Sequence, residues 1–274
     1  MNPLHLHNDA LEADIDLQGG RVLRLRTREL SLPVLHENAS GGMFPMLPLA
    51  NRVAGNRFTF QGREIVLPHH HADARFFLHG DGWLRRWNIV EHGDDECVLQ
   101  LRCQHDCGFD YLAKIRYQLL QNQLVASVTL THCGDSPMLY GCGFHPFFRF
   151  DEHSQLQFQA SGYWPEGEQH LPLAWQDRLP DEANFSQPQY GKDDWLNVGY
   201  SGWSGRAVIQ HDVMKVTLLA QTPWLMLFRM SGGEFLCLEP QTHPVNAHNM
   251  QGQPGLRVLG QGEQCHFSMQ ICVE

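Results

Sequence analysis

No run in this chain approaches the ~20 consecutive apolar residues that a membrane-spanning helix needs, and its start, Met1-Asn2-Pro3-Leu4-His5, has neither the basic nor the apolar part of a secretion signal. A soluble, cytoplasmic protein with no membrane partner is expected. Basic residues are scarce: 20 Lys and Arg stand against 30 Asp and Glu, a net charge of -10. Phosphate backbones are repelled on average by such a balance, so nucleic acid is not an expected partner. Cys-x-x-Cys pairs are missing although there are eight cysteines, at 97, 103, 107, 133, 142, 237, 265 and 272. That spacing removes the zinc-ribbon reading, and a chain of 274 residues is not a small disulfide scaffold. The thiols are expected to be reduced and mostly buried.

Helical periodicity is also lacking. No stretch of the chain keeps a convincing 3.6-residue apolar period, and 15 prolines and 25 glycines interrupt most candidates. The common catalytic signatures are absent too: there is no P-loop, no Gly-x-Gly-x-x-Gly, and Ser201-Gly202-Trp203-Ser204-Gly205 has the wrong spacing for a nucleophile elbow. The run His69-His70-His71 lacks the following Glu of a cupin-type metal site, its place taken by Arg75 and Phe76. No metal is expected there.

What the chain does have is period-two alternation. Leu11, Ala13, Ile15 and Leu17 alternate with Glu12, Asp14 and Asp16, and similar blocks run over Tyr111 to Tyr117, Leu124 to Leu130, Ala207 to Leu218 and Trp224 to Met230. Turn signals such as Gly19-Gly20, Gln61-Gly62, Gln121-Asn122 and Gly232-Gly233 separate them. The class is mainly β, with large antiparallel sheets packed face to face or closed as a barrel, in a single domain over 1–274. The polar stretch from about Trp164 to Asp194 reads as a long irregular excursion. Its Trp- and Gln-rich neighbourhood, Tyr163 to Trp195, is expected to form a rim over a cleft.

Two short segments carry the chemistry. Glu239 follows the apolar run Phe235-Leu236-Cys237-Leu238 and precedes Pro240, so a carboxylate stands at the inner end of a buried strand. Such a group costs several kcal/mol unless it is paired or used. A Glu bonded to backbone amides or to an Arg in a turn would satisfy the same pattern. His145 sits between Leu139-Tyr140-Gly141-Cys142-Gly143-Phe144 and Pro146-Phe147-Phe148, suited to proton transfer in a pocket shielded by aromatics, or to a satisfied core position. A third cluster, Phe77-Leu78-His79-Gly80-Asp81-Gly82-Trp83, would let a ligand approach the backbone and would offer Trp83 as a cover for an apolar sugar face. Asn51 and Arg52, with Arg57, offer amide and guanidinium donors for hydroxyl or anionic groups.

In order and approximate spacing, Gly19-Gly20, Asn51-Arg52, His79-Gly80, His145-Pro146-Phe147-Phe148, Gly202-Trp203 and Cys237-Leu238-Glu239-Pro240-Gln241 resemble the aldose 1-epimerases, or galactose mutarotase-like proteins, over nearly the whole chain. The resemblance implies a β-supersandwich that interconverts the α and β anomers of a free aldose without cofactor or metal. Glu239 matches the catalytic base, His145 the acid for the ring oxygen, His79 a second histidine that positions the sugar, and Asn51 and Arg52 the substrate-binding pair. Three positions depart from the pattern. Met46-Leu47-Pro48-Leu49 replaces a Gly-Arg pair, Asp81 replaces a Gly, and Asn197 stands where many members carry a substrate-binding Asp, with Asp193 and Asp194 nearby. The expected partner is a small sugar and the expected state a monomer or homodimer. Three other readings stay open: an anionic sugar held by Arg52, Arg57, Arg75, Arg85 or Arg86, a non-catalytic sugar-binding protein, and a glycoside hydrolase or lyase, for which the matched motifs supply only one of the two carboxylates normally needed.

Overall fold

A computed structural model describes residues 3–38 and 41–274; Met1 and Asn2 of the N-terminal reading lie outside it. Two antiparallel sheets of nine strands each dominate. The first runs, from edge to edge, Leu4–His7, Leu11–Asp16, Arg21–Thr27, Met43–Met46, Gly143–Arg149, Phe235–Gln241, Trp224–Arg229, Leu196–Ser201 and Gly162–Trp164. The second is centred on Lys215–Ala220, Gln264–Val273, Gln123–His132 and Asp110–Leu120. Helix is confined, among the described residues, to four single 3-10 turns, and no helix there is long and apolar enough to cross a membrane. The block expected as one strand over Ala207 to Leu218 is two, Arg206–Gln210 and Lys215–Ala220, because the chain reverses at His211–Met214, where the His211 amide donates to the Met214 carbonyl.

The long central strands of the second sheet, Asp110–Leu120 and Gln123–His132, keep strict alternation. Every second residue of Gln123–His132 is buried, and the residues between them are partly buried on the other face. The buried rows of both sheets meet in one core, where Phe144 of the first stacks on Phe267 of the second and the Tyr117 hydroxyl donates to the Gly20 carbonyl across the layers. A fully buried Leu or Phe contributes ~1.5–3 kcal/mol here.

The middle of the first sheet breaks the alternation. Gly143–Arg149 is buried at its first six positions, Phe235–Gln241 at its last six and Leu196–Ser201 at its first five. One face of these strands lies on the core through Phe144, Phe148, Leu236, Leu238, Leu225 and Val198. Their other face is covered as well, and a second, smaller apolar cluster of Phe44, Met46, Ala50, Phe147 and Cys237 lines it. The covered second face is where the sequence motifs converge.

Candidate active site

Strand register assembles the site. Gly143 pairs with Gln241 and Phe147 with Cys237, which sets His145 opposite Glu239. On either side, His145 pairs with Phe44 and Glu239 with Met226, then Met226 with Gly199 and Gly199 with Trp164. A single row, Phe44, His145, Glu239, Met226, Gly199 and Trp164, therefore crosses six strands on the face turned away from the core. Two residues far apart in sequence meet at its centre: His145 Nε2 lies 3.1 Å from Glu239 Oε1.

The surroundings of this pair are apolar. The His145 ring lies between Phe44 and Phe147, at centroid distances of 4.5 and 4.7 Å and nearly parallel to both. Trp83, which the sequence offers as a cover for a sugar face, stacks on Phe44 at 4.9 Å and donates its indole N–H to the Leu78 and Gly80 carbonyls. Glu239 Oε2 and His145 Nδ1 are buried without a hydrogen-bond partner among the described residues. Loss of hydration shapes both groups. Burial pushes the Glu239 carboxyl up to about 8, against the pull of Arg52, and pushes His145 down to about 3, with Arg21 and Arg52 adding to the effect. At neutral pH the pair holds one transferable proton.

His79 reaches the same place from a loop. Its backbone N–H donates to the Asn51 carbonyl at 3.0 Å, and the Asn51 N–H donates to His79 Nδ1 at 3.1 Å. An amide can only donate, so Nδ1 accepts and the ring proton sits on Nε2. Burial holds this imidazole well below its ordinary pKa, and His145 and Arg52 push it further the same way. His79 is thus a fixed neutral donor, its ring centroid 5.1 Å from that of His145. Asn51 is buried, its side-chain oxygen accepting from Arg52 Nη1 at 3.3 Å, and Arg52 Nε is buried with no partner among the described residues. His243, just past the Glu239 strand, accepts from the Ala50 N–H at 3.1 Å and ties the Asn51-Arg52 loop to that strand.

Gly80 makes the His79 loop possible. Its φ is +64°, and an added Cβ would stand 2.1 Å from the Leu47 carbonyl oxygen. Gly80→Ala is expected to destabilise the fold by more than ~1 kcal/mol and to weaken sugar binding by displacing His79. Urea unfolding and ligand titration on the same preparation would check both effects. Asp81, which follows, anchors the loop from behind: Arg85 Nε donates to it at 2.6 Å and His105 lies 3.3 Å away. Burial alone would lower His105, but Asp81 and Cys103 outweigh it and raise the imidazole to about 9.

Across the row stands a residue the sequence motifs did not reveal. Asn197 Nδ2 donates to Glu166 Oε1 at 2.5 Å, so the amide expected to meet substrate is engaged by a carboxylate from the irregular excursion. Trp195 Nε1 donates to Glu166 Oε2 at 2.6 Å, and His170 Nδ1 lies 2.5 Å from Oε1. Burial would raise this carboxyl, but Asn197, His170 and Trp195 together hold it below the ordinary range. Glu166, Asn197, Gly199 and Met226 line one recess. The only sequence signal was a Glu set between Trp164-Pro165 and Gly167.

The other arginines considered for an anionic sugar lie on the exposed surface. Arg57, Arg75, Arg85 and Arg86 are exposed, Arg57 facing Glu64 at 3.4 Å and Arg85 committed to Asp81. His69 and His71 are exposed, and His70 lies 3.0 Å from the Leu78 carbonyl oxygen. One potential ligand atom from each of His79, His145 and Glu239 lies within 4.8 Å of the others, close enough for a divalent ion to bridge.

Known proteins share this sequence and fold. The sequence matches the aldose 1-epimerase family over residues 3–272. It is 34% identical, over 288 aligned positions and 98% of each chain, to the uncharacterised protein YphB of Escherichia coli K12. A crystal structure from Escherichia coli K12, of a protein provisionally assigned as an aldose 1-epimerase, superposes with a TM-score of 0.94 at 31% identity, covering 99% of this chain and 98% of that one. The galactose mutarotase related enzyme of Lactobacillus acidophilus superposes with a TM-score of 0.83 over 99% of this chain and 97% of its own, at 12% identity, a likeness of fold alone.

Proposed function

The chain belongs to the aldose 1-epimerase family, and on that premise we propose that it interconverts the α and β anomers of a free aldose by acid/base opening and closing of the ring at Glu239 and His145. Its fold is the galactose mutarotase-like β-supersandwich. The one core cluster that runs through both sheets supports reading 1–274 as a single functional unit.

One observation carries this reading: the 3.1 Å contact between Glu239 and His145. Opening a cyclic hemiacetal removes a proton from O1 and delivers one to the ring oxygen, and both oxygens are bonded to the same carbon. The base and the acid must therefore sit side by side. A glycosidase instead sets two carboxylates on opposite sides of the scissile bond.

The proton balance closes within the pair. Glu239 first passes its proton to His145 across the 3.1 Å contact; the carboxylate so formed takes the O1 proton while the imidazolium protonates the ring oxygen and the C1–ring oxygen bond breaks. Both side chains are then neutral, the form that burial favours, and the open-chain aldehyde is bound. Rotation about C1–C2 presents the other carbonyl face, and the reverse transfers close the ring on the opposite anomer. His79, a neutral donor, and Arg52 and Asn51 orient the sugar oxygens. No water, metal or covalent intermediate enters the balance.

The pH dependence follows from the same proton. Because the Glu239 carboxyl is raised to about 8, the pair keeps its transferable proton through neutral pH and loses it above that value. Without it, no acid remains for the ring oxygen. kcat/KM is expected to be level through neutral pH and to fall as pH rises through about 8, as a pH–rate profile would show. The activity itself is tested by polarimetry on freshly dissolved α anomers of several free aldoses. Faster decay of rotation with enzyme than without supports the reading; sugar-dependent thermal stabilisation without any faster decay would leave a binding protein instead.

A further inference from the structure

The recess opposite the acid/base pair is built around Glu166, which no sequence motif accounts for. Its position follows from the sheet. Asn197 and Gly199 lie on the same face as Met226 and Glu239, and Asn197, in the row of Phe228 and Cys237, is two strands across and two residues along from Glu239, roughly 12 Å at ~4.8 Å per strand and ~3.4 Å per residue. Gly199 and Met226 link the Glu166 recess to Glu239 along the row that crosses the sheet.

Its hydrogen bonding is unusual for a loop latch. Three donors from three places in the chain, Asn197, Trp195 and His170, converge on one half-buried carboxylate. Burial would favour the neutral acid, yet those donors keep it ionised. A carboxylate offers about four lone-pair sites; two donors meet Oε1 and one meets Oε2, which leaves an acceptor free on Oε2. Glu166 also acts on the buried cation of the site: Asp73, Glu239 and Glu166 favour the charged form of Arg52 against its burial. Glu166 therefore sets a negative charge on the side of the sugar position away from the acid/base pair, and the four other arginines considered for an anionic substrate are exposed.

We propose that Glu166 is a substrate-binding residue that accepts hydrogen bonds from hydroxyls on the sugar carbons remote from C1 and restricts the site to uncharged aldoses, with Asn197, Trp195 and His170 as its positioning residues. This deepens the mutarotase reading and rests on it. The carboxylate that the sequence lacks at position 197 is supplied from the excursion, and Asn197 acts by aiming it. A phosphorylated sugar entering the same recess would bring its charge against Glu166.

The test is calorimetric titration of wild type and Glu166→Gln with free aldoses, D-glucose and D-galactose among them, and with glucose 6-phosphate and galactose 6-phosphate. Anomerisation rates and Tm are measured alongside. Wild type is expected to bind a free aldose and to bind its phosphate more weakly. Glu166→Gln is expected to raise the Kd and KM for the free sugar by roughly 10–100-fold, with kcat changed far less, and to narrow the preference over the phosphate. Three outcomes overturn the proposal: unchanged free-sugar Kd with a lowered Tm, which makes Glu166 a loop latch; wild-type preference for the phosphates; or no binding of any sugar by wild type. Glu166-dependent sugar binding without anomerisation would sink the mutarotase reading and leave this assignment standing.

Discussion

Replacing Glu239 by Gln is expected to lower kcat for anomer interconversion by about 10²–10⁴-fold while making the protein more stable. The loss follows from the chemistry, because Gln keeps the shape and the contact to His145 but can neither take nor give the O1 proton. The gain follows from burial. A carboxyl with an ordinary value of 4.5 is raised to about 8 in the fold, so it contributes stability at acid pH that is lost progressively as pH rises from 4.5 through about 8. Gln carries no such dependence. The Tm difference between Glu239→Gln and wild type should therefore widen over that range and level off above it, which thermal denaturation at a series of pH values would read directly. A merely structural Glu239 would instead show lower stability in the variant at every pH.

His145→Asn is expected to lower kcat by a similar ~10²–10⁴-fold, with a smaller change in KM. The ring is held between Phe44 and Phe147 with Nε2 on Glu239, so the side chain is already placed for transfer and has little freedom to serve another purpose. Since acid and base act on one bond in one step, removing either disables the step. The double variant Glu239→Gln, His145→Asn should therefore be little slower than either single variant, as for groups that work as a unit. Rates that multiply would mean that the two groups serve separate steps. Steady-state polarimetry on the three variants separates these cases, and circular dichroism checks that each is folded.

Much of this site was legible in the sequence because its main residues interrupt otherwise apolar strands. Glu239 after Phe235-Leu236-Cys237-Leu238, and His145 before Pro146-Phe147-Phe148, are ionisable groups where burial is expensive, and that conflict marks them locally. Period-two alternation likewise marks most strands, and the run of Pro, Gln, Asp and Glu marks the polar excursion. Three features were not legible, each for a physical reason. The pairing of His145 with Glu239 depends on strand register, which no local pattern specifies. Trp83 was free to cover a sugar on sequence grounds, but only the packed loop shows it turned onto Phe44. Glu166 has no apolar strand around it and reaches the cleft because Gly162–Trp164 adds to the sheet edge and Tyr163 pairs with Gln176, contacts that draw the excursion inward.

The same argument explains the distant arginines. A guanidinium on an exposed strand or turn looks identical in sequence whether it faces a cleft or solvent. Arg52, tied through Asn51 to the His79 loop, lies where it acts on Glu239. Its charge moderates the raised carboxyl.

The most direct test of the central claim is two-dimensional NMR exchange between the α and β anomeric protons of a free aldose at equilibrium, with wild type beside Glu239→Gln at neutral pH. Ring opening by the buried pair predicts exchange cross-peaks that build up with wild type and fall to the uncatalysed level with Glu239→Gln. Equal exchange with both proteins, or none above the uncatalysed level with wild type across free aldoses, would contradict it.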